Sequence, residues 1–268
     1  MRVSSGSDLK PATRSTGTTA LIIISNSWAA RKSASELEII SYLKSSSKGL
    51  LSFCEAKLVN KISRPVLILE SVLGLGLIEA TIWTAGITQR LLFWLSAAWF
   101  IVAAVLAARR RESSGLKAPP WRVTVLVTGL TLLLAVLVAV AAATLHTLHG
   151  LFGTRAPLLH ASMYLLWALV QQYIQQSFFF IRIEQLTGNR PLASFLTAAL
   201  FGLVHLPNPV LTPVTFLGGW VMSELFRRYR SIWPLAIAHG VIGLTIAVAV
   251  PDHIHHHMRV GIGYLRYR

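Results

Sequence analysis

The sequence predicts an all-α polytopic membrane bundle of about seven spans, and three observations carry that reading. Of 268 residues, 54% are hydrophobic and only 13% charged, where a soluble domain would hold roughly 25% charged residues. The apolar residues gather in long blocks, with a mean hydropathy of +0.59, and not in the short alternations of a soluble core. Finally, the basic residues behind the formal net charge of +15 sit in short clusters between those blocks, as in AARRRESSGLK (107–117) and FRRYR (226–230). Clusters of that kind mark cytoplasmic loops and helix ends. They do not form the continuous stripe that binds nucleic acid, and no nucleic-acid partner is expected.

Taken in order, residues 1–60 stand apart. They are rich in Ser, Thr and Lys, and their one apolar run, ALIIIS (20–25), is too short to span a bilayer and poorly flanked for a secretory signal. The segment reads as poorly ordered, with a short amphipathic helix at SASELEIISYLKS, or as an extension from a misplaced translation start. No methionine occurs between Met1 and Met163. Cys54 is the single cysteine, which excludes an intrachain disulfide and a cysteine metal site and reads as an exposed thiol.

Residues 61–156 supply the N-terminal spans, at 65–84, 91–108 and 123–145. Residues 157–250 supply a membrane core, at 157–182, 191–207, 210–226 and 232–250. Each segment crosses or nearly crosses about 30 Å of hydrocarbon. The fifth and sixth are joined by LPNPVLTP, a break at membrane depth that must be buried in protein or line a wet cavity. With seven crossings, the groups Lys57–Lys61–Arg64, Arg109–Arg122, Arg182–Arg190 and Arg227–Arg230 share one side. That side is expected to be cytoplasmic, with the chain multi-pass in the inner membrane and its N-terminus inside. Arg259, Arg266 and Arg268 in the tail run against this orientation.

Polar residues inside spans are costly and face the bundle interior or water. In LVQQYIQQSFFF (169–180), Gln171, Gln172, Gln175 and Gln176 share an arc of about 140° at helical spacing, with Ile174 and Phe178 pointing largely away. Such a stripe either bonds neighbouring helices together or lines a site. His205 closes the fifth segment and His239 lies in the seventh. They are either packed, hydrogen-bonded histidines or, with one oxygen ligand, a set that suits zinc. Past the last span, the 251–268 tail holds Asp252, His253, His255, His256 and His257. It reads as a metal-capturing tract or, more simply, as a solvated interfacial tail with Tyr264 and Tyr267 at headgroup level.

These residues carry a resemblance. The block 157–250 resembles the CPBP family of intramembrane endopeptidases, also called the CAAX-protease or Abi family, whose motifs are Glu-Glu-x-x-x-Arg, Phe-x-x-x-His and a later His-x-x-x-Asn/Asp/Ser. Phe201 and His205 match the second motif, and GGWVMSELFRRYRSIWPLAIAHG resembles the run that leads to the third, at His239. Gln171, Gln172 and Gln176 occupy the positions of the two acids and the arginine, and Gly243 stands where Asn, Asp or Ser is expected.

The resemblance implies a site at Gln171, Gln172, Gln176, His205 and His239, with the histidines as the metal ligands and zinc as the cofactor. It also implies a prenylated protein or membrane-associated peptide as substrate. In that family a glutamate is thought to activate water, a step that needs a proton acceptor. An amide is neither a useful base nor a good zinc ligand. The expectation is therefore a CAAX-type endopeptidase fold with reduced or lost activity, or a non-catalytic scaffold that binds peptide or lipid. Among stand-in acids, Glu70, Glu79, Glu184 and Glu224, the most apolar-embedded is Glu79, and nothing in the sequence places it near His205.

Overall fold

A computed structural model describes residues 62–110, 112, 114–150 and 156–267. The expectations for residues 1–60, Cys54 included, lie outside the described residues. Three helices come first: α1 (Arg64–Ile82), α2 (Gly86–Arg109) and α3 (Trp121–Thr144). All three are long and apolar enough to cross a membrane. Large apolar side chains such as Trp94, Leu126 and Leu130 stand exposed along them, as expected of helices solvated by lipid. With no hydrophobic drive between such helices, hydroxyls help to join them. Between α1 and α2, Ser96 Oγ lies 3.1 Å from Thr81 Oγ1 and donates to the Leu77 carbonyl at 3.2 Å.

The fourth predicted span is one helical run in three parts. It begins as α4 (Pro157–Gln172), widens to a π-helix over Tyr173–Phe180 and returns to α5 (Ile181–Thr187). Gly188, left-handed at φ 65°, ends it. After Asn189 caps the Leu192 amide at 3.1 Å, α6 (Arg190–Leu203), α7 (Leu211–Tyr229), α8 (Trp233–Ala249), α9 (Asp252–His255) and α10 (Gly261–Leu265) follow. Among the described residues all regular structure is helical. α6 and α8 are apolar but have 14 and 17 residues. At 1.5 Å per residue, α6 reaches only about 21 Å.

The π-helix corrects the geometry expected of the glutamine stripe. Its i→i+5 bonding breaks the spacing of 100° per residue on which the arc was drawn. Phe178, expected to point away from the glutamines, is buried with Phe179 and Phe180. Phe178 packs edge-to-face with Phe100 at 5.0 Å and Phe179 at 4.9 Å, and Phe180 meets Phe226 at 5.5 Å. The widened turn thus sends aromatics into the packing between α2, α6 and α7, and the glutamines just before them into the bundle.

The predicted membrane-depth break is anchored in the protein through one side chain. Asn208 is fully buried. Its Oδ1 accepts from the Val210 and Leu211 amides at 3.0 and 2.9 Å, while Nδ2 donates to the His255 and Arg259 carbonyls at 2.8 and 2.9 Å. One side chain therefore satisfies the broken backbone and ties the C-terminal tail to it. The tail is folded, contrary to a simple solvated tail: Gly261 N donates to Leu206 O at 2.8 Å, and His255 has no exposed surface.

Two hydrogen-bonded ends show that α3 and α8 run parallel. At their starts, Ile232 N donates to Gly115 O at 2.9 Å and Trp233 Nε1 to Leu116 O at 2.8 Å. At their ends, His149 N donates to Val248 O at 3.0 Å.

Candidate functional site

A cavity of about 830 Å³ opens within the bundle. Aliphatic side chains of α1, α3 and α7 form most of its wall, among them Ile78, Leu130 and Leu217. Its polar groups include Tyr164, Gln171, Gln175, His205 and His239, with the hydroxyls of Thr131, Thr197 and Thr215.

The glutamines divide into two roles. Gln171 lines the cavity, whereas Gln172 lies behind it, fully buried. The Gln172 Nε2 faces three acceptors: Gln175 Oε1 at 3.0 Å, His239 Nδ1 at 3.2 Å and Met222 Sδ at 3.2 Å. An amide nitrogen carries two protons, so these acceptors share them. Gln172 Oε1 has no hydrogen-bond partner. Gln175 donates to Gly219 O at 3.4 Å, and a Cβ added at Gly219 would lie 2.8 Å from Gln175 Nε2. Glycine at 219 is therefore what admits that amide. Gln176 is fully buried away from the cavity and donates to Ser223 Oγ at 3.3 Å.

The two histidines pack edge-to-face with one aromatic ring, Phe201, at 4.8 Å for His205 and 5.6 Å for His239 between centroids. His205 Nδ1 donates to the Phe201 carbonyl at 2.6 Å, leaving the Nε2 lone pair free. His239 is the reverse. With the Gln172 amide donating to its Nδ1, the neutral ring carries its proton on Nε2 and presents a donor.

A catalytic zinc keeps three protein ligands. His205 and His239 supply two imidazoles, and among the described residues no carboxylate lines the cavity. The donor set does not fit zinc. The stand-in acids are engaged elsewhere. Glu70 accepts from Arg182 Nε at 2.9 Å and Arg110 at 3.0 Å, with the Arg182 guanidinium 3.8 Å over the Phe178 ring. Glu79 accepts from Trp83 Nε1 at 3.0 Å, Glu184 from Arg190 at 2.8 Å and Glu224 from Arg227 at 2.6 Å.

Position 243 explains itself through a residue that sequence reasoning missed. A Cβ on Gly243 would collide with the Tyr164 hydroxyl and come within 2.6 Å of its Cζ. The Tyr164 ring thus fills the space that a side chain at 243 would use, and among the described residues its hydroxyl, which stands in the cavity, has no hydrogen-bond partner. Tyr164 precedes Gln171 by seven residues, which puts both on one helix face. That spacing was the available signal.

The arrangement offers a carbonyl or carboxylate several donors: the Tyr164 hydroxyl, the Gln171 amide and His239 Nε2–H. Its one free nitrogen acceptor is His205 Nε2.

No curated protein and no solved structure matches the chain. A family model, type II CAAX prenyl endopeptidase Rce1-like, matches residues 61–245, which takes in every residue of the site. With its apolar helices and that match over most of its length, the chain is a membrane protein that belongs to the Rce1-like type II CAAX prenyl endopeptidase family.

Proposed function

We propose that this protein binds the C-terminal end of a prenylated or otherwise membrane-anchored peptide in its cavity, with hydrolysis strongly reduced or lost. The observation that carries this reading is the amide pair. Gln171 and Gln172 stand where the family's acids would, and Gln172 is locked to His239. Removing a general base typically costs about 10²–10⁴-fold in rate. Among the described residues the carboxylates are engaged outside the cavity. The aliphatic wall suits an isoprenoid, while Tyr164, Gln171 and His239 suit peptide carbonyls or a terminal carboxylate. Zinc has no part in this reading, because the His205–His239 pair lacks a third ligand.

We place the protein in the inner membrane with seven crossings, counting α1, α2, α3, the helical run 157–187, α6, α7 and α8. The basic loops and the N-terminus then lie on the cytoplasmic side.

The test is binding of a fluorescent farnesylated peptide to the protein in vesicles, against the same peptide without its prenyl group. Saturable binding that needs the prenyl group is expected. Tyr164→Phe is expected to weaken it about tenfold, the worth of one hydrogen bond in a dry site. Binding no better than partitioning into protein-free vesicles contradicts the reading.

A further inference from the structure

A second group of polar side chains lies at the far end of α3 and α8, away from the basic loops. Because the two helices run parallel and finish together, the segments leaving them emerge side by side. Thr147 Oγ1 donates to Ala249 O at 2.8 Å, and His149 Nε2 bonds Val250 O at 2.8 Å. This register brings His149 against Asp252 and His255, more than 100 residues later. One ligand atom from each lies within 4.8 Å of the others.

Several features distinguish the group from a surface tract. His255 is fully buried, and its Nε2 sits 3.9 Å from Asp252 Oδ1 without a hydrogen bond. The same Asp252 oxygen has His257 Nδ1 at 2.9 Å. A separate hollow of about 490 Å³, lined by His146, His149 and Asp252, gives access from outside. The bond from His149 to a backbone carbonyl is of the kind that fixes the tautomer of a ligating imidazole.

We propose that His149, Asp252 and His255 form a divalent transition-metal site suited to zinc, which clamps the C-terminal tail to the end of the α3–α8 pair. Two imidazoles and a carboxylate are a zinc donor set that leaves a fourth position for water. Around tetrahedral zinc, ligand atoms lie about 3.3 Å apart, so loading draws these groups together by about 1 Å. His255 Nδ1 accepts from Met258 N at 3.2 Å, which puts the ring proton on Nε2 in the metal-free form. On binding, that proton moves to Nδ1, the long Met258 bond is given up, and Nε2 takes the cation.

The experiment uses the full chain in detergent, purified without a histidine tag, stripped with chelator and titrated with Co(II) and Zn(II). One metal per chain is expected, with the visible bands of tetrahedral Co(II) and a rise in Tm. Because His255 is buried, the test variants are His149→Gln and Asp252→Asn, each expected to cost at least about tenfold in affinity. His253→Ala/His256→Ala should leave affinity and spectrum unchanged. Metal retained in both test variants, or lost with the His253/His256 pair, overturns the site. So does binding that disappears only in His205→Ala/His239→Ala.

Discussion

Two groups of imidazoles in this chain have opposite surroundings. In the cavity, His205 and His239 pack on Phe201, the Gln172 amide meets His239, and no carboxylate of the described residues lines the space. At the tail, His149 and His255 share Asp252. The difference teaches that a buried histidine takes its chemistry from the group beside it. An amide sets the tautomer of His239 and makes it a donor, whereas a carboxylate gives His149 and His255 the negative charge that a cation requires. The peptide site proposed here lies at the first group, and the proposed metal site at the second.

The comparison can be broken at several points. The largest effect is expected at Glu70, which pairs with the almost fully buried Arg182. Glu70→Ala leaves that guanidinium unpaired and should cost about 3–5 kcal/mol. Chemical denaturation in mild detergent measures it. A neutral result would free Glu70 from its structural role and weaken the claim that no acid is available to the cavity.

Next comes Gly243→Ala, which forces the Tyr164 ring aside at a cost of about 1–3 kcal/mol. Peptide binding should fall at least as far as in Tyr164→Phe, with zinc affinity at the tail unchanged.

Asn208→Ala works in the other direction. It removes the bonds that hold His255 and Arg259 in place and should lower zinc affinity about tenfold, in line with other losses of groups that orient metal ligands. The smallest effect on binding is expected from His205→Ala. His205 Nε2 is an acceptor facing a ligand site built from donors, so peptide affinity should change less than about threefold, below the worth of one hydrogen bond.

Much of this was legible in the sequence. Long apolar blocks located α1, α2 and α3, because a helix in lipid has no other way to satisfy its backbone. The need to satisfy the broken backbone after α6 was legible for the same reason. Gln172 and His239 were picked out as polar groups in apolar helices, and they do meet. The π-helix was not legible, since Tyr173–Phe180 has no Pro or Gly to announce it and its cause is tertiary packing of three consecutive phenylalanines. For that reason Gln171, which lines the cavity, was not separated from Gln172 and Gln176, which are buried behind it. Tyr164 was overlooked because an aromatic in a span reads as ordinary packing until Gly243 is seen against it. The meeting of His149 with Asp252 depends on the parallel register of α3 and α8, which local patterns do not contain.

The central claim is that the cavity binds its peptide but lacks the acid to cut it. Gln171, which faces the cavity, is the position to change. Release of the C-terminal fragment from a farnesylated peptide should be measured by mass spectrometry for wild type, Gln171→Glu and Gln171→Glu/His239→Ala in vesicles. The account predicts no release by wild type, release by Gln171→Glu faster by about 10²-fold or more, and its loss in the double variant. Release by wild type at a rate that Gln171→Glu does not raise and His239→Ala abolishes would contradict it.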